Sequence, residues 1–250
     1  MKSIWITGAS SGIGKALALK FANEGWQVAA SARREDLLNK IAESNENISS
    51  FPLDVTDSEK CKHVFEQIKN KLKSIDICFF STGTWDPKKE KEIDVDQIKK
   101  VMNVNFFGTL NCIKAVEKYF REKNSGHISI VSSIAGYRGL PNSTGYGASK
   151  AALNNLAESL YFDFGRNNVR VSLVSPGFIK TQMTDKNQFK MPFLKTAEYA
   201  ADKIYKGLIN GSSFEIDFPK ELTLILKFLK ILPDSLYFKI IKKLTKYQKR

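Results

Sequence analysis

Three side chains in the stretch SSIAGYRGLPNSTGYGASKAAL are spaced so that they could act on one small volume. Tyr146 and Lys150 are four residues apart on a predicted helix, so both project from the same face. Ser133 lies thirteen residues upstream of Tyr146, just past a predicted strand, where open parallel sheets bind their ligands. The pattern therefore favours one reactive site that these three side chains share.

A glycine-rich loop, TGASSGIG, follows the first predicted strand and precedes an amphipathic helix. Gly8 permits the tight turn, Gly12 lets the backbone approach a pyrophosphate, and Gly14 lets the helix pack closely on the strand. The spacing G-x-x-x-G-x-G differs from the commoner G-x-G-x-x-G, but the strand-loop-helix context is the one that dinucleotide binding requires. The loop predicts a dinucleotide site, against the alternative of a merely flexible loop.

The tip of the second predicted strand is basic. It reads VAASARRED, where an NAD enzyme usually has an acidic residue for the ribose 2′-hydroxyl. Arg33 and Arg34 instead predict NADP(H) in preference to NAD(H), with Arg33 as the main ligand of the 2′-phosphate. A solvated charge pair that opens the next helix is the alternative, and it fits Arg34 better.

Short apolar or β-branched runs alternate with longer helical patterns along the chain. This alternation is typical of βαβ units and predicts a doubly wound parallel sheet of about seven strands with helices on both faces. The predicted strands are 3–7, 27–31, 48–53, 75–80, 127–131, 169–174 and 213–218. The predicted helices are 13–24, 34–44, 57–72, 94–123, 144–167 and 196–209. Residues 1–218 therefore read as one α/β domain, and residues 219–250 as an extension.

Taken together, these motifs resemble the short-chain dehydrogenase/reductase family over roughly residues 1–218. The resemblance rests on the glycine loop, on Ser133 with Tyr146-x-x-x-Lys150, and on three further stretches in the expected order. Those stretches are LDVTD at 53–57, NVNFFG at 103–108 and SPGFIKT at 175–181. The resemblance implies a Rossmann-type fold and an NADP(H)-dependent oxidoreductase that interconverts a carbonyl and an alcohol.

The resemblance also implies a role for each site residue. Tyr146 would protonate the carbonyl oxygen, Lys150 would lower the pKa of Tyr146 and bind the nicotinamide ribose, and Ser133 would hydrogen-bond the substrate oxygen. Asn105 would hold a water linked to the lysine. The cofactor residues would be Gly8, Ser10, Ser11, Gly12, Ile13, Gly14, Arg33, Arg34, Asp54, Val55, Ser81, Gly83, Tyr146, Lys150, Pro176, Gly177, Ile179 and Thr181. No metal site is expected, because the chain has two histidines and its cysteines lack ligand spacing.

One stretch departs from the family's pattern. The family usually has Asn-Asn-Ala-Gly after the fourth strand, whereas this chain has FSTG at 80–83. Two amides that brace the sheet and the cofactor are absent, so Ser81 would replace part of their hydrogen bonding and Gly83 would keep the close approach. A catalytically weak cofactor-sensing or scaffold protein on the same fold is the alternative function. The intact Tyr146 and Lys150 favour the enzyme.

Residues 182–195, QMTDKNQFKMPFLK, predict a short apolar lid over the substrate. The lid would consist of Met183, Phe189, Met191, Phe193 and Leu194, although core packing fits the last two equally well. We expect a lipophilic ketone, aldehyde or secondary alcohol, with steroid, retinoid, fatty-acyl and other lipid carbonyls all open. The resemblance further implies a homo-oligomer, a dimer or a tetramer.

Residues 220–250 are both apolar and basic. They carry nine Lys and Arg against two acidic residues, which is +7 of the chain's formal net charge of +13. Pro233 separates two predicted amphipathic helices. Such helices suit an anionic membrane, the domain itself or another subunit, and a nucleic acid. Because a nucleic acid does not need so wide an apolar face, membrane binding and packing are the two interpretations that stay open.

Cysteine usage and hydropathy indicate where the protein works. The three cysteines show no disulfide framework, which favours a reducing compartment. The N-terminus, MKSIWITGAS, lacks a signal-peptide pattern, and the apolar run 222–232 is too short and too charged to span a bilayer. We expect a cytoplasmic enzyme, which would be peripheral on the inner face of a membrane if the tail binds there.

Overall fold

A computed structural model describes residues 2–85, 93–187 and 189–245. Its strands are parallel and form one seven-stranded sheet in the order β3-β2-β1-β4-β5-β6-β7. The strands are β1 (Ser3–Thr7), β2 (Gln27–Ala32), β3 (Ile48–Pro52), β4 (Ile77–Phe80), β5 (Gly126–Val131), β6 (Val169–Pro176) and β7 (Glu215–Phe218). The prediction of a doubly wound parallel sheet is confirmed, with strand ends within two residues of those expected.

Helices cover both faces of the sheet. They are α1 (Gly12–Asn23), α2 (Glu35–Glu43), α3 (Ser58–Leu72), α4 (Val95–Met102), α5 (Gly108–Lys123), α6 (Thr144–Gly165), α7 (Ala197–Ile209), α8 (Lys220–Lys230) and α9 (Asp234–Leu244). Local sequence fixes several helix starts, because Asp57, Asp94 and Thr196 accept hydrogen bonds from backbone N–H groups in the first turns of α3, α4 and α7. The helix predicted over 94–123 contains a π-helical turn, Asn103–Phe107, between α4 and α5.

Two apolar clusters pack against opposite faces of the sheet. In β1, Ile4 and Ile6 belong to the cluster with α1 and α7, whereas Trp5 belongs to the cluster with α3, α5 and α6. The Trp5 ring lies 5.8 Å from Phe65 and 5.5 Å from Phe80, measured between centroids. Successive side chains of a strand point to opposite faces, so a strand covered on both sides is mostly apolar and does not alternate between apolar and polar residues. For this reason the strands can be recognised in the sequence as short, mostly apolar runs.

The strand order reverses at β1, which pairs with β2 on one side and with β4 on the other. In open α/β sheets, ligands bind outside the carboxyl ends of the strands at such a reversal. The register places Thr7 of β1 beside Phe80 of β4, and Phe80 beside Ile130 of β5. The segments that follow these strands carry the glycine loop, FSTG and Ser133, so the fold brings the predicted site residues to one edge.

The basic tail forms α8 and α9, with Pro233 between them. Leu229, Tyr237 and Ile241 are buried in a third, smaller apolar cluster. The tail residues Lys246, Lys249 and Arg250 lie outside the described residues. In the described part of the chain, none of the helices combines the length and the hydropathy needed to cross a membrane.

Candidate active site

A cleft of about 300 Å³ lies across the carboxyl ends of the strands. All of the predicted cofactor residues, from Gly8 to Thr181, line this cleft, and so does Ser133. Asn105 does not line it and is fully buried behind its wall. The structure therefore brings the predicted cofactor residues together with three of the four predicted catalytic residues, Ser133, Tyr146 and Lys150.

The glycine loop has a shape that other residues could not adopt. Gly8 has a φ of +73° and Gly12 a φ of +57°, both in the left-handed region that favours glycine. A Cβ on Gly14 would lie 2.3 Å from the carbonyl oxygen of Gly8, so a larger residue would push the loop and α1 apart. The N-cap residue Ser11 makes no side-chain capping bond, which leaves first-turn N–H groups of α1 for an anion.

Arg34 crosses part of this cleft. Its Nη2 donates hydrogen bonds to Ser10 Oγ at 2.9 Å and to Ser11 Oγ at 2.7 Å, and its Nη1 donates to Gln182 Oε1 at 3.1 Å. The sequence favoured a solvated charge that opens the next helix as the interpretation of Arg34. Arg34 is indeed exposed and is the N-cap residue of α2, and its guanidinium also joins the glycine loop to the segment that follows β6.

Arg33 lies close enough to Asp54 to act on its charge. Burial raises the pKa of Asp54, but hydrogen bonds from Thr56 and the charge of Arg33 outweigh burial and leave the pKa below its usual value. Asp54 Oδ1 accepts from the Thr56 backbone N–H at 3.0 Å and from its hydroxyl at 2.8 Å. Asp54 is therefore ionised and already paired, and Arg33 and Arg34 are exposed cations that line the cleft at the tip of β2.

Tyr146 and Lys150 lie in the first two turns of α6, and Ser133 lies just beyond β5. The Lys150 Nζ is 5.7 Å from the centroid of the Tyr146 ring and donates to the carbonyl of Val131 at 2.9 Å. The Ser133 hydroxyl lowers the pKa of the Tyr146 phenol, which is the smaller of the two effects on that group. Ser133, Tyr146 and Lys150 thus line one cleft, with the serine beyond β5 and the other two on α6.

Burial dominates the protonation equilibria of this group. It raises the pKa of Tyr146 above its usual value, and the Ser133 hydrogen bond offsets only part of the effect. Burial also lowers the pKa of Lys150 to about 8. The net shift of the tyrosine is opposite to the one that the sequence predicted, because both groups lose hydration and the ammonium is bonded to a carbonyl rather than to the phenol.

Ser81 takes over hydrogen bonds in the stretch that departs from the family's pattern. Its hydroxyl donates to the carbonyl of Thr7 at 2.6 Å, and its backbone N–H donates to the Thr7 hydroxyl at 3.2 Å. A Cβ on Gly83 would lie 3.5 Å from Asn105 Oδ1 and 3.7 Å from Lys150 Nζ. The chain therefore ties β4 to β1 through a serine, and passes close to the lysine at a glycine.

The amide of Asn105 is engaged by protein groups. Its Oδ1 accepts from the backbone N–H of Thr84 at 2.7 Å, and its Nδ2 donates to the Thr84 carbonyl at 3.1 Å and to Ser149 Oγ at 3.0 Å. The sequence predicted that this side chain holds a water. In the structure it braces the segment after β4 against α6, directly behind Gly83 and Lys150.

Trp85 contacts the site through Tyr146, although it does not line the cleft, and the sequence analysis missed it. Its ring lies 5.4 Å from the Tyr146 ring, with 33° between the planes. The indole Nε1 is buried and has no hydrogen-bond partner within the described residues. The available signal was its position, an aromatic residue two positions after the close-approach glycine of FSTG. A buried N–H without a partner is destabilising by about 1–3 kcal/mol, so a ligand that accepts from it would recover part of that energy.

The predicted lid is closed at its base by backbone pairing. Lys180 N–H donates to the Lys195 carbonyl at 2.8 Å, and Lys195 N–H donates to the Phe178 carbonyl at 3.0 Å. Phe193 and Leu194 remain 45% and 40% exposed, so they do not pack in the core. Of the two interpretations left open for them, the exposure favours the lid.

Comparison with known proteins gives the same picture as the geometry. A family model described as short chain dehydrogenase matches residues 2–191. An uncharacterized oxidoreductase of Myxococcus xanthus is 32% identical over 236 residues, 93% of each chain. The 3-oxoacyl-(acyl-carrier-protein) reductase FabG of Thermotoga maritima is 37% identical over 188 residues, which are 72% of this chain and 75% of the relative.

Two solved structures show the shared fold and differ in their cofactor. ElxO with NADP bound is 29% identical, with a TM-score of 0.76, and the match covers 86% of this chain and 97% of ElxO. A short-chain dehydrogenase/reductase from Burkholderia phymatum in complex with NAD is 20% identical, with a TM-score of 0.79 and coverage of 90% and 92%. The chain belongs to the short-chain dehydrogenase/reductase family, oxidoreductases that bind a nicotinamide cofactor.

Proposed function

We propose that this protein is an NADP(H)-dependent oxidoreductase that interconverts a lipophilic ketone or aldehyde and the corresponding alcohol. The observation that carries the proposal is the convergence of Ser133, Tyr146 and Lys150 on the cleft that the glycine loop also lines. A cofactor-sensing or scaffold protein would need the cleft but not these three side chains together in it.

The residues of the cleft fit NADP(H). The glycine loop offers backbone N–H groups to a pyrophosphate, and Arg33 and Arg34 supply charge-assisted hydrogen bonds to a 2′-phosphate. The hydrogen bonds of Arg34 to Ser10 and Ser11 already hold its guanidinium against the loop. When bound, the cofactor supplies the hydride that reduces the carbonyl carbon.

The chain's own residues supply the proton and the alignment. Tyr146 donates its phenolic proton to the substrate oxygen, and Ser133 donates a hydrogen bond to the same oxygen. Lys150 binds the nicotinamide ribose, and its Nζ lies 5.7 Å from the centroid of the Tyr146 ring. Asn105 helps to position these catalytic side chains, because its amide is hydrogen-bonded to both Thr84 and Ser149.

The apolar lid supports a lipophilic substrate. Met183 lines the cleft. Phe189 and Phe193 follow Met183 in the chain, and their side chains are 49% and 45% exposed. The relative FabG is named for reduction of a 3-oxoacyl chain, which is a ketone on an apolar tail. The proposal includes a homo-oligomer, a dimer or a tetramer, and a cytoplasmic location at the inner face of a membrane. The three buried, free cysteines agree with a reducing compartment.

The test measures kcat/KM with NADPH and with NADH on a series of ketones of increasing chain length. We expect NADPH to be preferred and kcat/KM to rise with chain length. Replacing both arginines, Arg33→Ala with Arg34→Ala, should reduce the NADPH preference by about 10–100-fold, whereas Lys40→Ala, a matched loss of an exposed cation on α2, should not. A preference for NADH would contradict the cofactor assignment. Binding of NADPH without turnover of any carbonyl would favour the sensor or scaffold.

A further inference from the structure

The inner sides of α8 and α9 are fixed to the domain. Arg138 donates hydrogen bonds to the carbonyls of Leu229 and Lys230 at 3.3 Å and of Leu232 at 2.8 Å, which caps the end of α8. Its guanidinium also pairs with Asp234 and lies 4.0 Å from the centroid of the Tyr237 ring. The helices therefore hold a defined orientation and are not a loose arm.

Two of the tail's lysines are used in this attachment. Lys227 forms ion pairs with Glu215 at 2.7 Å and Asp217 at 3.0 Å, and Lys220 pairs with Asp217 at 2.7 Å. Both carboxylates belong to β7. Of the predicted alternatives, packing on the domain thus applies to one side of each helix, and the other side has to be considered separately.

The outer side of α8 is apolar. Leu224, Ile225, Phe228 and Ile231 are 61%, 47%, 61% and 78% exposed. Leu224, Phe228 and Ile231 share one face of the helix by their spacing, and Ile225 lies at the border between that face and the side of the buried Leu222 and Leu229. Fifteen large apolar side chains are exposed in the described part of the chain, and seven lie on α8, at its end or on α9. An apolar surface of this kind marks an interaction site.

The outer side of α9 is basic. Lys239, Lys242 and Lys243 are exposed and lie away from the buried Tyr237 and Ile241. Within residues 2–85, 93–187 and 189–245, no acidic side chain lies at ion-pair distance from these lysines. Their charge is available to a partner, and an apolar face beside free lysines is complementary to an anionic lipid surface.

We propose that α8 and α9 dock the protein on an anionic membrane, with the apolar face of α8 at the acyl boundary and the lysines of α9 on the headgroups. This inference rests on the proposed function for one point only, the purpose of the docking, which is to deliver a lipophilic substrate from the bilayer. The helix lies next to the cleft, because a Cβ on Gly177, a cleft residue, would be 3.0 Å from Leu222 Cδ2 of α8. A second copy fits less well, since a two-fold interface pairs this basic surface with its own copy, which carries the same excess of positive charge.

The test is flotation of the full chain with vesicles of phosphatidylcholine, with and without phosphatidylglycerol, at about 0.1 M salt. We expect binding to the anionic vesicles only. The triple variant Lys239→Gln, Lys242→Gln, Lys243→Gln should weaken binding by about 100-fold. The control triple, Lys40→Gln, Lys60→Gln, Lys71→Gln, removes the same charge from exposed positions on α2 and α3 and should bind normally.

A second pair of variants tests the apolar face. Phe228→Gln with Ile231→Gln should weaken binding by about tenfold or more, whereas Phe162→Gln, which changes a 70% exposed residue of α6, should not. All variants should turn over a water-soluble ketone like the unchanged protein, so a failure of the proposed function is seen separately. The inference is overturned if the full chain ignores anionic vesicles, if both lysine triples bind alike, or if the apolar variants change the oligomeric state instead of membrane binding.

Discussion

Replacing Lys227 by methionine tests whether α8 is part of the domain or an attached arm. The Asp217 side chain is 2% exposed and forms ion pairs with both Lys227 and Lys220. Of these two lysines, Glu215 pairs only with Lys227. Lys227→Met keeps the apolar stem of the side chain and removes its charge. If α8 is only an attached arm, this change should leave the free energy of unfolding unaltered. If α8 is anchored to the domain, the free energy of unfolding should fall.

The expected loss follows from the burial of the carboxylates. Removing one partner of a buried ion pair is destabilising by about 3–5 kcal/mol. Lys227 is itself 37% exposed and Lys220 remains beside Asp217, which reduces the expected loss to about 1–3 kcal/mol. For a chain of this size, the midpoint of thermal unfolding should fall by about 2–12 °C.

The contribution of this ion pair to stability should depend on pH, because the Asp217 carboxyl must be ionised to form it. Burial raises the pKa of Asp217, but its bonds from Lys220 and Lys227 outweigh burial and leave the pKa below the usual value. The ion pair therefore stabilises the fold at pH above the unfolded carboxyl pKa of about 4 and is lost as the pH falls through the lower folded pKa. The difference in unfolding free energy between Lys227→Met and the unchanged protein should narrow in acid.

The assay is urea unfolding followed by circular dichroism from pH 8 to pH 3. The control is Lys230→Met, which changes an exposed lysine of the same helix that is outside the ion pairs with β7. If Lys227→Met is as stable as this control at pH 7, the reasoning that anchors α8 through buried charges is wrong.

Three further changes test other parts of the structure. Trp85→Phe keeps a ring against Tyr146 but removes the unpartnered N–H, so KM for the ketone should rise by about 2–10-fold while the midpoint of thermal unfolding does not fall. Burial lowers the pKa of His127 to about 3, so the unfolded chain binds the proton more tightly. Stability should therefore fall by about 2 kcal/mol between pH 8 and pH 5, and unfolding of His127→Gln should lack this slope. Gly14→Ala should abolish NADPH binding measured by fluorescence titration, whereas Gly165→Ala, where a Cβ meets nothing within 4 Å, should leave it unchanged.

The features that the sequence predicted well are those set by local geometry. Gly8 and Gly12 have a positive φ, and Gly14 lies where a Cβ would clash, so each position requires glycine. Tyr146 and Lys150 share a helix face because of their spacing alone. The strands were predicted because burial on both faces makes most of their positions apolar.

The features that it missed depend on distant residues. Arg34 meets Gln182 across 148 positions of sequence, and no pattern near Arg34 indicates that contact. The direction of the Tyr146 pKa shift depends on how much water the folded cleft excludes, which exceeds the effect expected from a nearby lysine. The tail's helices were predicted from their periodicity, but Arg138, 96 positions before Asp234, decides which sides face the domain.

Substitution Tyr146→Phe, measured for turnover and for NADPH affinity on the same preparation, tests the proposed reaction most directly. The change removes one transferable proton and little contact area, so turnover of the best ketone should fall by at least about 100-fold. The Kd for NADPH should stay within about twofold, because the glycine loop and the arginines are untouched. Turnover that persists in this variant would contradict the assignment of Tyr146 as the proton donor and, with it, the proposed mechanism.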